Sequence, residues 1–155
     1  MEGPFDSRNP LVGLIDEVVR INGRLRGVFS ASRREAGLGE SAIMVLNAVV
    51  EAERAPTVSQ IARSFGVARQ LVQRAADGLV EAGLIETLPN PDHKRAALLV
   101  ATAEGTAAKR RADAEADRAA AALCEGMDLE TVRAATRHLR AARKQLEARL
   151  RAGSI

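Results

Sequence analysis

The stretch from Pro56 to Gly83 constrains this chain more than any other, because its punctuation permits only short helices set close together. Pro56 breaks the chain. Thr57-Val58-Ser59-Gln60 then has the form of a capping box, in which a Ser or Thr caps the helix and a Gln three residues on returns the bond. The helix begun there ends at Gly66, after Phe65, since glycine readily adopts the left-handed conformation that closes a helix. Only Val67 and Ala68 separate that glycine from a second helical run, about Arg69 to Ala82, itself closed by Gly83. Two short helices joined by a tight glycine-containing turn make a helix-turn-helix.

The segments on either side of this motif complete a mostly helical plan. Leu84 to Leu88 reads as a strand, Pro89 to Arg95 as a loop, and Ala96 to Ala101 as the returning strand of a hairpin wing. Upstream, Asn9-Pro10 is an N-cap with Pro at the first helical position. Leu11, Leu14, Val18, Ile21, Leu25 and Val28 then form a heptad seam on a helix running to about Ala36, stopped by Gly37. A second helix spans about Glu40 to Ala52, with Ile43, Leu46, Val49 and Val50 on its apolar face. Thr102 caps a fifth helix that reaches Gly126, and Asp128 caps a sixth that runs almost to the C-terminus. In the sixth, Val132, Ala135, Leu139, Ala142, Leu146 and Leu150 form another apolar stripe.

The expected fold class is therefore mainly α with a small β-hairpin wing: a winged helix-turn-helix with long N- and C-terminal dimerisation helices. Residues 1–155 form one domain, with the helix-turn-helix lobe at 40–101 and the dimerisation helices at 9–36 and 102–152. An apolar stripe on one helix is ordinarily intramolecular core. Here long seams flank a module able to build its own core, and nothing of the same chain is left to cover them. That predicts a homodimer with Leu11, Leu14, Val18, Leu25, Val132, Leu139, Leu146 and Leu150 at its interface.

Composition supports helices. Hydrophobic residues are 46% of the chain but aromatics only 2%, with no Trp or Tyr, so the core must come from Ala, Leu, Val and Ile. Ala119 to Ala122 favours helix, since Ala loses no side-chain entropy on folding. A net charge of +3 suits a nucleic-acid binder without proving one, so its placement matters more than its sum. One cysteine excludes an internal disulfide framework and fits a reducing cytoplasm. No apolar run approaches the roughly 20 residues that span a bilayer. The N-terminus, with Glu2 and Asp6, does not read as a secretory signal.

The fourth helix separates into two faces. Val72, Ala76 and Leu79 point toward the core, while Arg69, Gln70, Gln73, Arg74 and Asp77 form one contiguous polar face. Arg can bond guanine bidentately and Gln can do the same with adenine. From Thr57 to Ala76 there is no acidic residue, while Arg63, Arg69 and Arg74 are basic. In isolation such a face is equally well an ordinary solvated one. Beside a helix-turn-helix and a basic hairpin tip it reads as a DNA-facing surface.

These residues carry a family resemblance. Gly66 to Arg74, Gly83-Leu84-Ile85-Glu86, Asn90 to Ala96 and Ala101-Thr102-Ala103-Glu104-Gly105 resemble the recognition helix, wing and fifth-helix opening of the multiple-antibiotic-resistance regulator (MarR) family. The resemblance runs in register over about Leu46 to Ala107. It implies a dimeric transcription regulator whose terminal helices interlock and whose recognition helices enter successive major grooves, roughly 34 Å apart, over a pseudo-palindrome. It also implies a repressor relieved by a small molecule bound where the dimer lobe meets the reading lobe. The position matching the family's wing-tip arginine is Arg95, expected in the minor groove with Lys94 near phosphate. The expected DNA contacts are thus Ser59, Gln60, Ala68, Arg69, Gln70, Leu71, Gln73, Arg74, His93, Lys94 and Arg95.

Three positions depart from the family. His93 stands where an Asp usually supports the wing arginine, so either Asp92 substitutes through a shifted turn, or backbone groups hold Arg95 and His93 contacts phosphate. Leu71 replaces a small hydroxyl residue, exchanging a hydrogen bond for contact with a thymine methyl. Ala68 replaces the usual Ser cap, at about 1 kcal/mol. Cys124 reads as a buried, inert thiol, since the family's redox-sensing branch keeps its cysteine near the first helix. His93 and His138 are too far apart in sequence to suggest a metal site, and no phosphate loop, nucleophile elbow or paired-carboxylate motif appears. The basic stripe of the sixth helix (Arg137, Arg140, Arg143 and Lys144, with Arg149 and Arg151) reads as a solvated face, the alternative being that it adds to the positive field near DNA. No enzyme and no cofactor are expected. The alternative to a DNA-binding regulator is a winged-helix protein-interaction module that has lost DNA binding.

Overall fold

The computed structural model describes residues 9–35 and 37–153. The leader with Glu2 and Asp6, and Ala36, at which the first helix is expected to stop, lie outside the described residues. The order is α1 (Pro10–Glu35), α2 (Glu40–Val50), α3 (Val58–Phe65), α4 (Arg69–Glu81), β1 (Ile85–Leu88), β2 (Leu98–Ala101), α5 (Ala103–Cys124) and α6 (Leu129–Arg151). The chain divides into two compact units, Met1–Ala119 and Ala120–Ile155, with α5 running from the first into the second.

Several helices begin or end where the sequence supplies a cap. The Asn9 side chain accepts from Leu11 N at 3.0 Å to open α1. At α3, Thr57 Oγ1 accepts from Gln60 N at 3.3 Å while Gln60 Oε1 accepts from Thr57 N at 2.8 Å, closing both arms of the capping box. Gly66 ends α3 at φ +63°, and Val67 N donates back to Ala62 O at 3.0 Å. Gly83 ends α4 at φ +69°, with Gly83 N to Val80 O and Leu84 N to Leu79 O both at 2.9 Å. Asp128 caps α6. Its carboxylate accepts from Thr131 Oγ1 at 2.6 Å and Glu130 N at 3.0 Å, and the Thr131 bond leads in holding the carboxyl below its ordinary value.

Three boundaries differ from the sequence expectation. β1 begins at Ile85 rather than Leu84, because the Leu84 amide is consumed in closing α4. β2 begins at Leu98 rather than Ala96, because Ala96 N donates to His93 O at 3.0 Å and so belongs to the wing turn. α2 stops at Val50, where Glu51 caps it by donating its amide to Asn47 O, rather than at Ala52.

The hairpin pairs Ile85 with Ala101 and Leu88 with Leu98. Its returning strand is also tied to the start of the helix-turn-helix, since Leu99 N donates to Pro56 O at 2.8 Å. Among the described residues, the core lies entirely within the first unit. Val45, Leu46 and Val49 of α2 meet Val58, Ile61 and Ala62 of α3, then Val72, Ala76 and Leu79 of α4. Leu84, Ile85 and Leu99 of the wing, with Ala108 of α5, complete it.

The wing base and α5 are locked by one threonine and one glycine. Thr102 Oγ1 donates to Gly83 O at 2.7 Å and accepts from Gly105 N at 3.0 Å, while Thr102 N donates to Leu84 O at 3.1 Å. A Cβ on Gly105 would lie 1.8 Å from the Leu84 carbonyl oxygen, so only glycine lets α5 approach so closely. Among the described residues, none of the side chains of α1 or α6 is buried. Cys124 is half-buried rather than buried, because the second unit has no buried core among the described residues to enclose it. No helix among the described residues is long and apolar enough to cross a membrane.

Candidate nucleic-acid interface

The apolar positions of α4 fix how it presents its other side. Val72, Ala76 and Leu79 are sealed in the core at 0–2% exposure, which turns Arg69, Gln70, Gln73, Arg74 and Asp77 to the surface. Ala68, the N-cap of α4, has extended backbone and makes no side-chain capping bond. Gln73 Nε2 donates to Asp77 Oδ1 at 2.8 Å, which occupies that carboxylate within the helix and keeps it from the arginines.

The wing faces the start of α3 and α4 across an open bay of about 890 Å³. Ser59 and Gln60 of α3, Arg69 of α4, and His93 and Arg95 of the wing line it, as the sequence reading expects of neighbours on one surface. The bay also takes in Arg54 from the α2–α3 loop, Arg63 from α3 and Asn90 from the wing, none of which is in the expected contact set. Arg63 shares a helix face with Ser59 and Gln60 by its spacing and was open to discovery from sequence. Arg54 carries no such local signal, because its loop reaches the wing through tertiary contacts, among them the Leu99–Pro56 hydrogen bond.

The remaining expected contacts sit elsewhere on the lobe. Lys94 is exposed but not on the bay, and Gln70 lies on the outer face of α4. Leu71, 42% exposed, and Arg74 border a second hollow of about 470 Å³ between the α1–α2 junction and the middle of α4. The wing tip is organised by Asn90, whose side chain accepts from Asp92 N at 3.0 Å and whose carbonyl accepts from His93 N at 3.3 Å. Among the described residues neither Asp92, His93 nor any backbone group bonds the Arg95 guanidinium.

Several basic side chains of this unit are ion-paired. Away from the bay, Arg26 pairs with Glu40 at 3.2 Å and Arg111 with Glu104 at 2.8 Å. Lys109, its side chain only 12% exposed, bonds Asp113 at 2.6 Å and Glu51 at 3.1 Å. The Asp113 hydrogen bond, followed by that to Glu51, raises the ammonium above its ordinary value against the opposing pull of burial. By contrast Arg54, Arg63, Arg69, Arg74, Lys94 and Arg95 meet no carboxylate within ion-pair distance among the described residues. Unpaired guanidiniums on a recognition helix, its neighbour and a hairpin can contact phosphates and base edges together.

A helix-turn-helix followed by a hairpin that extends its basic face defines a winged-helix protein. The sequence profile of the MarR family matches residues 36–96 of the chain. The fold agrees over most of the chain. A MarR-family transcriptional regulator from Rhodococcus sp. RHA1 superposes with a TM-score of 0.77 at 23% identity, covering 88% of this chain and 96% of its own. CouR from Rhodococcus jostii RHA1, solved bound to p-coumaroyl-CoA, gives 0.71 at 23% identity, covering 85% and 91%. Apo MarR from E. coli gives 0.68 at 22% identity, covering 88% and 98%. An uncharacterised protein of Mycobacterium tuberculosis strain H37Rv is 40% identical over 92 residues. That match takes in 59% of this chain and 63% of the relative's length.

Proposed function

We propose that this protein is a sequence-specific DNA-binding transcriptional regulator, acting as a homodimer on a pseudo-palindromic operator and performing no catalysis. The observation that carries this reading is the exposed, carboxylate-poor face of α4, Arg69-Gln70-Gln73-Arg74, set beside an unpaired wing arginine in a lobe that the MarR-family profile matches. Base edges would be read by Arg69 and Gln70 near the N-terminal end of α4, the end that reaches deepest into the major groove. Arg95 would enter a minor groove and respond to its width and potential. Dimerisation is supported by the exposed apolar seams of α1 and α6, which give two protomers apolar surface to bury.

The regulator would be a repressor released by a small molecule. CouR, of similar fold, was solved with an acyl-CoA bound. The hollow beside Leu71 and Arg74 would let a ligand act on α4 directly, by displacing the recognition helix relative to the α1–α2 junction.

The test uses duplexes enriched from a random pool by the protein itself, with scrambled duplexes as reference. Gln70→Ala should weaken the enriched duplex by about 1–3 kcal/mol while barely altering scrambled DNA. Arg95→Ala should weaken both and flatten the salt dependence by about one counterion per protomer. No enrichment of any sequence, with both variants indistinguishable from wild type, would overturn the reading in favour of a protein-interaction module.

A further inference from the structure

The bay between α3 and the wing gathers more positive charge than base reading requires. Arg54, Arg63, Arg69 and Arg95 come from four separate segments and share it with His93 and, among the residues lining it, a single carboxylate, Asp92. None of the four guanidiniums is ion-paired among the described residues. Arg54 has acidic residues close by in sequence, Glu51 and Glu53, yet is not neutralised by either. Glu51 is drawn to α5 by Lys109 at 3.1 Å, and Glu53 makes no ion pair among the described residues. Four like charges facing one volume repel one another, and an anion entering it relieves that repulsion.

The shape of the bay selects the kind of anion. It is open rather than enclosed, and Arg69 belongs both to it and to the exposed face of α4. A polyanion contacting Gln70 and Arg69 therefore continues without interruption between Arg63 and Arg54 on one side and Arg95 on the other. A phosphodiester backbone has that continuity and a small monoanion does not. We propose that this bay grips consecutive backbone phosphates of the strand flanking the groove read by α4, with Arg54 and Arg63 as the phosphate anchors. The proposal rests on the DNA-binding reading above and assigns two residues that it does not use. Both positions carry affinity without sequence information.

The experiment substitutes Arg54→Gln and, independently, Arg63→Gln, and titrates enriched and scrambled duplexes over a salt series. Both residues are exposed, and melting curves verify that each variant is folded. Each variant should lower the salt slope by about one counterion per bound protomer. At 0.15 M salt that is a loss of about fivefold per protomer, equal on both duplexes. A second arm scans the enriched duplex with single neutral methylphosphonate linkages. Wild type should lose affinity at adjacent flanking linkages, and Arg54→Gln should lose nothing further at one of them.

An unchanged salt slope in both variants would overturn the proposal while leaving the DNA-binding reading intact. So would a loss confined to the enriched duplex, or full methylphosphonate sensitivity in Arg54→Gln. Failure of the wild-type protein to bind either duplex would overturn both.

Discussion

The reading lobe and the terminal helices use apolar residues in opposite ways. Among the described residues, all thirteen buried core positions fall between Val45 and Ala108, and Val45, Leu46, Val72 and Leu79 are almost fully enclosed. In α1 and α6 the large apolar residues stay at the surface: Val18 is 43% exposed, Leu139 38%, Leu146 44% and Leu150 57%. Both regions are amphipathic by sequence. The difference is that three short helices and a hairpin can surround one another, whereas a long helix with its apolar stripe outward needs something outside itself. The lobe thus encloses its own apolar side chains, whereas the terminal helices leave theirs exposed within a single chain.

The sharpest way to break that contrast is to charge the seams. A micromolar dimer is held by about 8 kcal/mol, and Leu139→Glu with Leu146→Glu should forfeit most of it. Light scattering should show the wild type at about 33 kDa, twice the 16.5 kDa chain, and the double variant at the monomer mass or unfolded. Leu46→Ala, in the lobe, should instead cost about 2–5 kcal/mol at every protein concentration and leave association unaltered. A wild-type protein that scatters as a stable monomer would remove the basis for reading the two regions differently.

A smaller effect is expected where the lobe meets α5. Gly105→Ala would drive a methyl into the Leu84 carbonyl oxygen, backbone that cannot swing aside, and should destabilise by about 3 kcal/mol or more. Gly78 is the control. It is helical, has open space where its Cβ would be, and Gly78→Ala should stabilise by about 0.5–1 kcal/mol. Thermal melts that rank the two alanines in the reverse order would show that close approach of α5 to the wing base is not what requires the glycine.

Much of this architecture was legible because it is written in local chemistry. The capping box at Thr57, the stops at Gly66 and Gly83 and the caps at Thr102 and Asp128 each act within a few residues, and all fall where the sequence places them. Boundaries slipped where one amide had two candidate roles, as at Leu84, which closes a helix instead of opening a strand. The exposed polar face of α4 followed from the helical period alone. Arg54 could not be found that way, since its place in the bay depends on tertiary contacts, among them a hydrogen bond between Pro56 and Leu99, far apart in the chain. The pairing of Lys109 with Glu51 at 3.1 Å likewise joins segments far apart in the chain and carries no local sequence signal. Alkali should test this link. The raised ammonium stabilises fully below its ordinary value of 10.5, and that contribution is lost only as pH climbs through the higher folded value.

The smallest expected effects lie within the helix-turn-helix itself, where one helix is capped and the other is not. Thr57 completes a reciprocal box at α3, so Thr57→Ala should cost about 1 kcal/mol, through loss of the bond to the Gln60 amide. Ala68 occupies the same position at α4, with backbone already extended at φ −61° and ψ 134°, and offers its helix no side-chain acceptor. Ala68→Ser should therefore add about 1 kcal/mol without moving the backbone. For a chain of this size each change shifts the melting midpoint by about 2–4 °C, downward for Thr57→Ala and upward for Ala68→Ser. Because both caps belong to the lobe that encloses its own core, both shifts should be independent of protein concentration, unlike those of the seam variants. If Ala68→Ser lowered the midpoint instead, the start of α4 would be held by something other than its own helical bonds. The bay that Arg69 shares with Arg54 and Arg63, one residue away, would be the first place to look.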